Sequence, residues 1–122
     1  MAELHYRESI LDYFESMSVP EKQEQLGPTE AFCLWFDDLY VPCDDPSIYN
    51  PGVYEKGLKE FESCFSNEEL KAMAKYHRYF ASIADGFNTD REWSEIQRDP
   101  QWQRLTNEAK NALNVFHKKA ST

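Results

Sequence analysis

The chain has 122 residues, 41% of them hydrophobic and 15% aromatic, which suits one domain with a real core and excludes a disordered polymer. Its 22 acidic and 13 basic residues leave a net charge of −9, a surface that phosphate backbones repel, so direct nucleic-acid binding is not expected. No apolar run approaches the roughly 20 residues of a membrane helix, and MAELHYRESI has neither the basic n-region nor the apolar h-region of a secretory signal, so a cytoplasmic location is expected.

Ala2 to Met17 has helical periodicity, with Tyr6, Ile10, Tyr13, Phe14 and Met17 on one face and Glu3, Arg7, Glu8, Asp12 and Glu15 on the other. Ser18-Val19-Pro20 should end it, because a residue before proline is pushed out of the helical region. Glu21 to Gly27 is polar and reads as a short helical turn or linker, broken at Gly27-Pro28. Thr29 to Tyr40 is expected to be the central helix. Phe32, Trp35, Phe36 and Leu39 form its main stripe, and Leu34 and Tyr40 widen it. A helix apolar on most sides should be covered on more than one of them.

Val41 to Gly52, VPCDDPSIYNPG, is the long proline-rich loop of the chain, with Asp45-Pro46 and Asn50-Pro51-Gly52 as turn chemistry. Ile48 and Tyr49 are expected to pin it to the body. Val53 to Phe65 is the next helix, where Gly57 beside Leu58 would let a neighbour approach closely. Ser66 to Glu69 (SNEE) is a capping box opening the helix Asn67 to Asp85, with Gly86 as its left-handed stop. That helix shows two stripes: Leu70, Met73, Ala74, His77, Phe80 and Ala84, and Tyr76, Tyr79 and Ile83 leading to Phe87. A second capping box, Thr89 to Glu92 (TDRE), should open a short helix carrying Trp93 and Ile96. Asp99-Pro100 then caps a last helix running to about Lys118, with Trp102, Leu105, Ala109, Ala112, Leu113 and Phe116 as its buried face. Lys118 and Lys119 suit the negative end of its dipole.

The pattern predicts an all-α fold: a single-domain irregular or orthogonal bundle of about five main helices plus short ones, built around Thr29–Tyr40 and Asn67–Asp85.

Few residues carry recognisable chemistry. The three cysteines are odd in number and widely spaced, which argues against a disulfide framework or a zinc site; Cys33 and Cys64 read as small core residues and Cys43 as a loop thiol. None of His5, His77 and His117 has a glutamate three residues before it, and no H-E-x-x-H occurs, so no metal is expected. The four glycines make neither G-x-G-x-x-G nor a P-loop, and no cofactor is expected. Asp37 and Asp38 are adjacent on a helix, so their side chains diverge by about 100° and cannot form a glycosidase pair by themselves. No catalytic residue is assigned.

Two places remain as candidate sites. The first is the acidic, aromatic loop region with Asp44, Asp45, Tyr49, Tyr54 and Glu55, where rigid aromatics are anchors and charge steers encounter with a partner protein of basic surface. Its plainer role is a lid over the core. In size, acidity and absence of a catalytic motif the chain resembles the small cytoplasmic immunity proteins that neutralise nuclease toxins. The resemblance implies a non-enzymatic inhibitor that occludes a basic active site. The second candidate is a ligand pocket or enzyme site lined by Trp35, Asp38, Tyr76, His77 and Tyr79. There His77 would be a base or ligand; its plainer role is a core histidine hydrogen-bonded to one neighbour. A third reading is a structural homodimer or complex subunit that buries the surplus aromatics.

Overall fold

The computed structural model describes the backbone of residues 2–43, 47 and 50–120 and the side chains of residues 6–43, 47 and 50–117. Among these residues the chain is all-α, as the periodicity predicts, with no strand.

Helix α1 (Ala2–Ser18) buries Ile10, Tyr13, Phe14 and Met17 on one face. Val19 is extended at φ −123° and ψ 118°, and Pro20 opens α2 (Pro20–Leu26), so the proline ends one helix and starts the next. Gly27, at φ 86° and ψ 148°, separates α2 from α3 (Pro28–Cys33), in a conformation only glycine adopts cheaply.

The expected central helix does not run as one α-helix to Tyr40. At Leu34 it widens into a π-helical segment (Leu34–Leu39), with the Tyr40 N–H donating to the Trp35 carbonyl at 3.0 Å. The reason lies in the rings. Five residues along an α-helix, at about 100° each, would set Trp35 and Tyr40 roughly 140° apart. The wider turn brings them together, with centroids 4.9 Å apart and planes within 10°. Trp35 lies between Tyr40 and Tyr13, the latter stacked at 5.2 Å, and is fully buried.

A 3-10 turn (Val41–Cys43) follows. Asp44, Asp45, Pro46, Ile48 and Tyr49 lie outside the described residues, and so does the expected pinning by Ile48 and Tyr49. The chain closes into α4 (Val53–Ser63) through a type II turn, with the Val53 N–H on the Asn50 carbonyl at 3.1 Å and Gly52 at φ 86° and ψ −17°.

The capping box that opens α5 (Asn67–Ala84) is formed as the sequence predicts. The Glu69 N–H donates to Ser66 Oγ at 3.2 Å, and the Ser66 N–H to Glu69 Oε1 at 2.8 Å. The buried stripe of α5 takes Met73 and Phe80 from one expected stripe and Tyr76 and Ile83 from the other, with Glu69, which belongs to neither, also buried. Helix α6 spans Trp93–Arg98 and α7 Pro100–Ala120, and Asp99 Oδ1 caps α7 by accepting the Gln101 N–H at 2.8 Å. On α7, Trp102, Leu105, Ala109, Ala112 and Phe116 are buried and Leu113 partly so; the side chains of Lys118 and Lys119 lie outside the described residues.

Several local expectations fail for physical reasons. A Cβ on Gly57 would meet nothing within 4 Å, so this glycine does not serve a close helix approach. Gly86 is not a left-handed stop, because positive φ occurs only at Gly27 and Gly52 among the described residues. The Thr89–Glu92 box does not form, because α6 starts at Trp93 and Glu92 precedes it without a side-chain cap. Instead Asn88 Oδ1 accepts the Asp90 N–H at 2.9 Å in a local turn. Cys33 is exposed and so is not a core residue, while Cys64 is half-buried and packs against the edge of the core.

Helix α7 packs along α1 and α5, and α1 also meets α2 and α4. Ile10, Phe14, Met73, Tyr76, Leu105 and Phe116 fill the space where they meet. No described phenylalanine, tyrosine or tryptophan is exposed; Val53, 48% exposed, is the large apolar side chain left open to water among the described residues. Among the described residues no helix is long and apolar enough to cross a membrane.

Candidate functional site

Between Lys22 and Lys56 the chain has no lysine, arginine or histidine but seven carboxylates: Glu24, Glu30, Asp37, Asp38, Asp44, Asp45 and Glu55. The five that are described, Glu24, Glu30, Asp37, Asp38 and Glu55, are all exposed. Ion pairs among the described residues form elsewhere, at Arg7–Glu69, Lys75–Glu108, Arg91–Asp99 and Arg104–Glu108. The stretch therefore contributes negative charge without neutralisation from its own neighbours in sequence.

Local structure explains why these carboxylates face water. The turn that carries Trp35 inward carries Asp37 and Asp38 outward on the π segment. Glu55 lies in the first turn of α4, at the positive end of that helix. Tyr54 is half-buried, with its hydroxyl donating to the Pro42 carbonyl at 3.2 Å, which ties the start of α4 to the 3-10 turn. In that same turn Cys43 Sγ lies 3.0 Å from the Tyr40 carbonyl. Of the first candidate site, then, Tyr54 and Glu55 are placed beside the loop, while Asp44, Asp45 and Tyr49 lie outside the described residues.

The second candidate set is brought together only in part. Trp35, Tyr76 and His77 meet: the Trp35 and Tyr76 rings are 4.9 Å apart edge to face, and Trp35 Nε1 donates to His77 Nδ1 at 3.2 Å. Tyr40 stacks on His77 at 4.7 Å, and Phe36 meets its edge at 5.5 Å. Burial pushes the His77 imidazole below its ordinary value. Trp35 and Tyr76 have no exposed surface, and the Tyr76 hydroxyl is 2.7 Å from that of Tyr13. Burial first, helped by Tyr76, raises the Tyr13 phenol well above its usual range. Asp38 and Tyr79 lie apart from this cluster. Asp38 is exposed on the π segment, and the Tyr79 hydroxyl donates to the Gln101 carbonyl at 3.2 Å with Arg104 over its ring. Two clefts among the described residues, of about 440 and 360 Å³, are lined by neither Trp35, Tyr76 nor His77. The rings around His77 are packed against one another as in a core.

Two polar constellations gave little signal in the sequence. Arg7, assigned there to the solvent side of α1, forms a bidentate pair with Glu69 at 2.8 and 2.7 Å and also donates to the Cys64 carbonyl at 3.0 Å. Glu69 is 1% exposed. Burial pushes its carboxyl up, but the Arg7 guanidinium and the Ser66 N–H pull it further down, so it lies below the usual carboxylate range. Gln23, in the polar EKQEQLG segment, is 2% exposed. Its amide donates to the Met17 carbonyl and to Thr106 Oγ1 at 2.7 Å, and accepts from Trp102 Nε1 at 3.2 Å. These groups hold α2 to α1 and α7. The capping box shows in the sequence, but its partner 62 residues away does not.

Among the described residues no group of three histidine, cysteine or carboxylate side chains is arranged to hold a metal ion. No protein-family model, no curated protein and no solved structure matches this chain.

Proposed function

We propose that this protein is a non-enzymatic, acidic protein-binding module whose ligand is a protein with a basic surface. The observation that carries this reading is the cation-free stretch from Gln23 to Glu55, whose described carboxylates are exposed and outside any ion pair among the described residues. Such a surface steers a basic partner by long-range attraction and rejects phosphate backbones. Asp44, Asp45 and Glu55 would meet lysine and arginine side chains, and Tyr49 and Tyr54 would be the aromatic anchors. In its sharper form the partner is a basic nuclease or toxin in the cytoplasm, and the acidic face covers the groups that hold phosphate.

The test is affinity capture from the source organism's lysate with the wild type and with Asp44→Lys plus Asp45→Lys, each checked by circular dichroism. The expected result is a basic protein held by the wild type and lost from the double variant, with helicity unchanged. Equal retention by both proteins would end the assignment of this face.

A further inference from the structure

We infer that His77 is a proton-operated latch on the π-helical turn, and that its protonation releases the Leu34–Cys43 segment from the bundle. The hydrogen bond from Trp35 Nε1 to His77 Nδ1, 3.2 Å long, needs that nitrogen unprotonated, so the proton of the neutral ring resides on Nε2. Trp35 has no exposed surface, and His77 is the side chain that accepts its indole N–H. Protonation puts a second N–H where the acceptor was, leaving a buried indole donor facing a cation. Stacking on Tyr40 can hold the imidazolium ring, so the strain falls on Trp35 and on the turn that positions it.

Among the described residues no carboxylate pairs with His77 to offset this. The titratable groups around the latch are the Tyr40 phenol stacked on His77, Arg78 next to it on α5, and Asp37 and Asp38 on the exposed side of the π segment. The Cys43 thiol, Glu62 and Tyr54 act on Tyr40 from the 3-10 turn and α4. None of these carboxylates pairs with His77 among the described residues. Burial already lowers the imidazole, so the transition falls below the ordinary value of about 6.5.

The π segment also carries Asp37 and Asp38, both exposed, so the latch and these two carboxylates share one element. The latch does not depend on a partner. Proton–nitrogen correlation spectra of the full chain, from pH 7.5 to 5, test it directly. The expected result is that the Trp35 indole N–H and the amides of residues 34–43 shift with the same midpoint as the His77 ring, while Leu105 and Ala109 on α7 stay fixed. In His77→Gln, whose carbonyl accepts the same bond without titrating, the change should vanish. A Trp35 signal that stays still while His77 titrates would overturn the latch. So would an equal change in His77→Gln, or a change that comes only with loss of the α7 signals.

Discussion

Glu69 does three things with one carboxylate. It closes the capping box of α5, pairs with Arg7 of α1, and fills a position that is 1% exposed. A buried charge is tolerable only when its lone pairs are satisfied, and here Arg7 and the Ser66 N–H do so. Removing one partner leaves the other uncompensated, so Glu69→Ala should destabilise the fold by about 3 kcal/mol in urea unfolding. The pH sign follows from its lowered carboxyl. The contribution is complete above about pH 4.3 and is lost as pH falls through the folded-state value below it. Wild type should therefore lose more stability than Glu69→Gln between pH 6 and pH 3; equal losses would show that Arg7 holds no charged partner. His77 also favours its neutral form in the fold, so its share is present above about pH 6.5 and declines in the window just below, separate from that of Glu69.

Among the elements, α4 gives the plainest test of local propensity. Gly57 lies mid-helix with open space where a Cβ would go, so Gly57→Ala should stabilise the protein by roughly 0.5–1 kcal/mol, read as a higher urea midpoint. A loss of stability would mean that a neighbour needs the space. The helices themselves were legible because their apolar spacing, prolines and caps agree: Pro20, Pro28, Ser66 and Asp99-Pro100 each act where the sequence places them. The π segment was not legible. Phe32, Trp35, Phe36 and Leu39 also fit α-helical spacing, and only the stacking of Tyr40 on Trp35 and the donor bond to His77 select the wider turn. Likewise Thr89 and Glu92 satisfy a capping pattern that the chain leaves unused: Asn88 takes the Asp90 N–H in a local turn, and α6 begins only at Trp93.

Across the described residues, every phenylalanine, tyrosine and tryptophan ring is buried or half-buried, and most of them pack against one another. Rings run in contact from Tyr6 and Phe61 through Tyr40, Trp35 and Tyr76 to Phe80 and Phe32, then by Phe87 to Trp102 and Trp93. Of the candidate site, the sequence makes only the charge legible, in Asp44, Asp45 and Glu55. Contact was not legible, because whether Trp35, Tyr76 and His77 line a pocket or fill a core depends on neighbours such as Tyr13, 22 residues before Trp35 in sequence. The described surface carries an uneven distribution of charge, and the most direct test of the proposed face compares two equal reversals of it. One variant carries Asp37→Lys and Asp38→Lys in the cation-free stretch; the other carries Asp85→Lys and Glu95→Lys, both exposed and outside it. If the proposed face binds a basic protein, affinity for it should fall steeply for the first variant and stay near wild type for the second, and the difference should shrink as salt rises. Equal losses from the two variants would contradict the acidic face and reduce the effect to net charge.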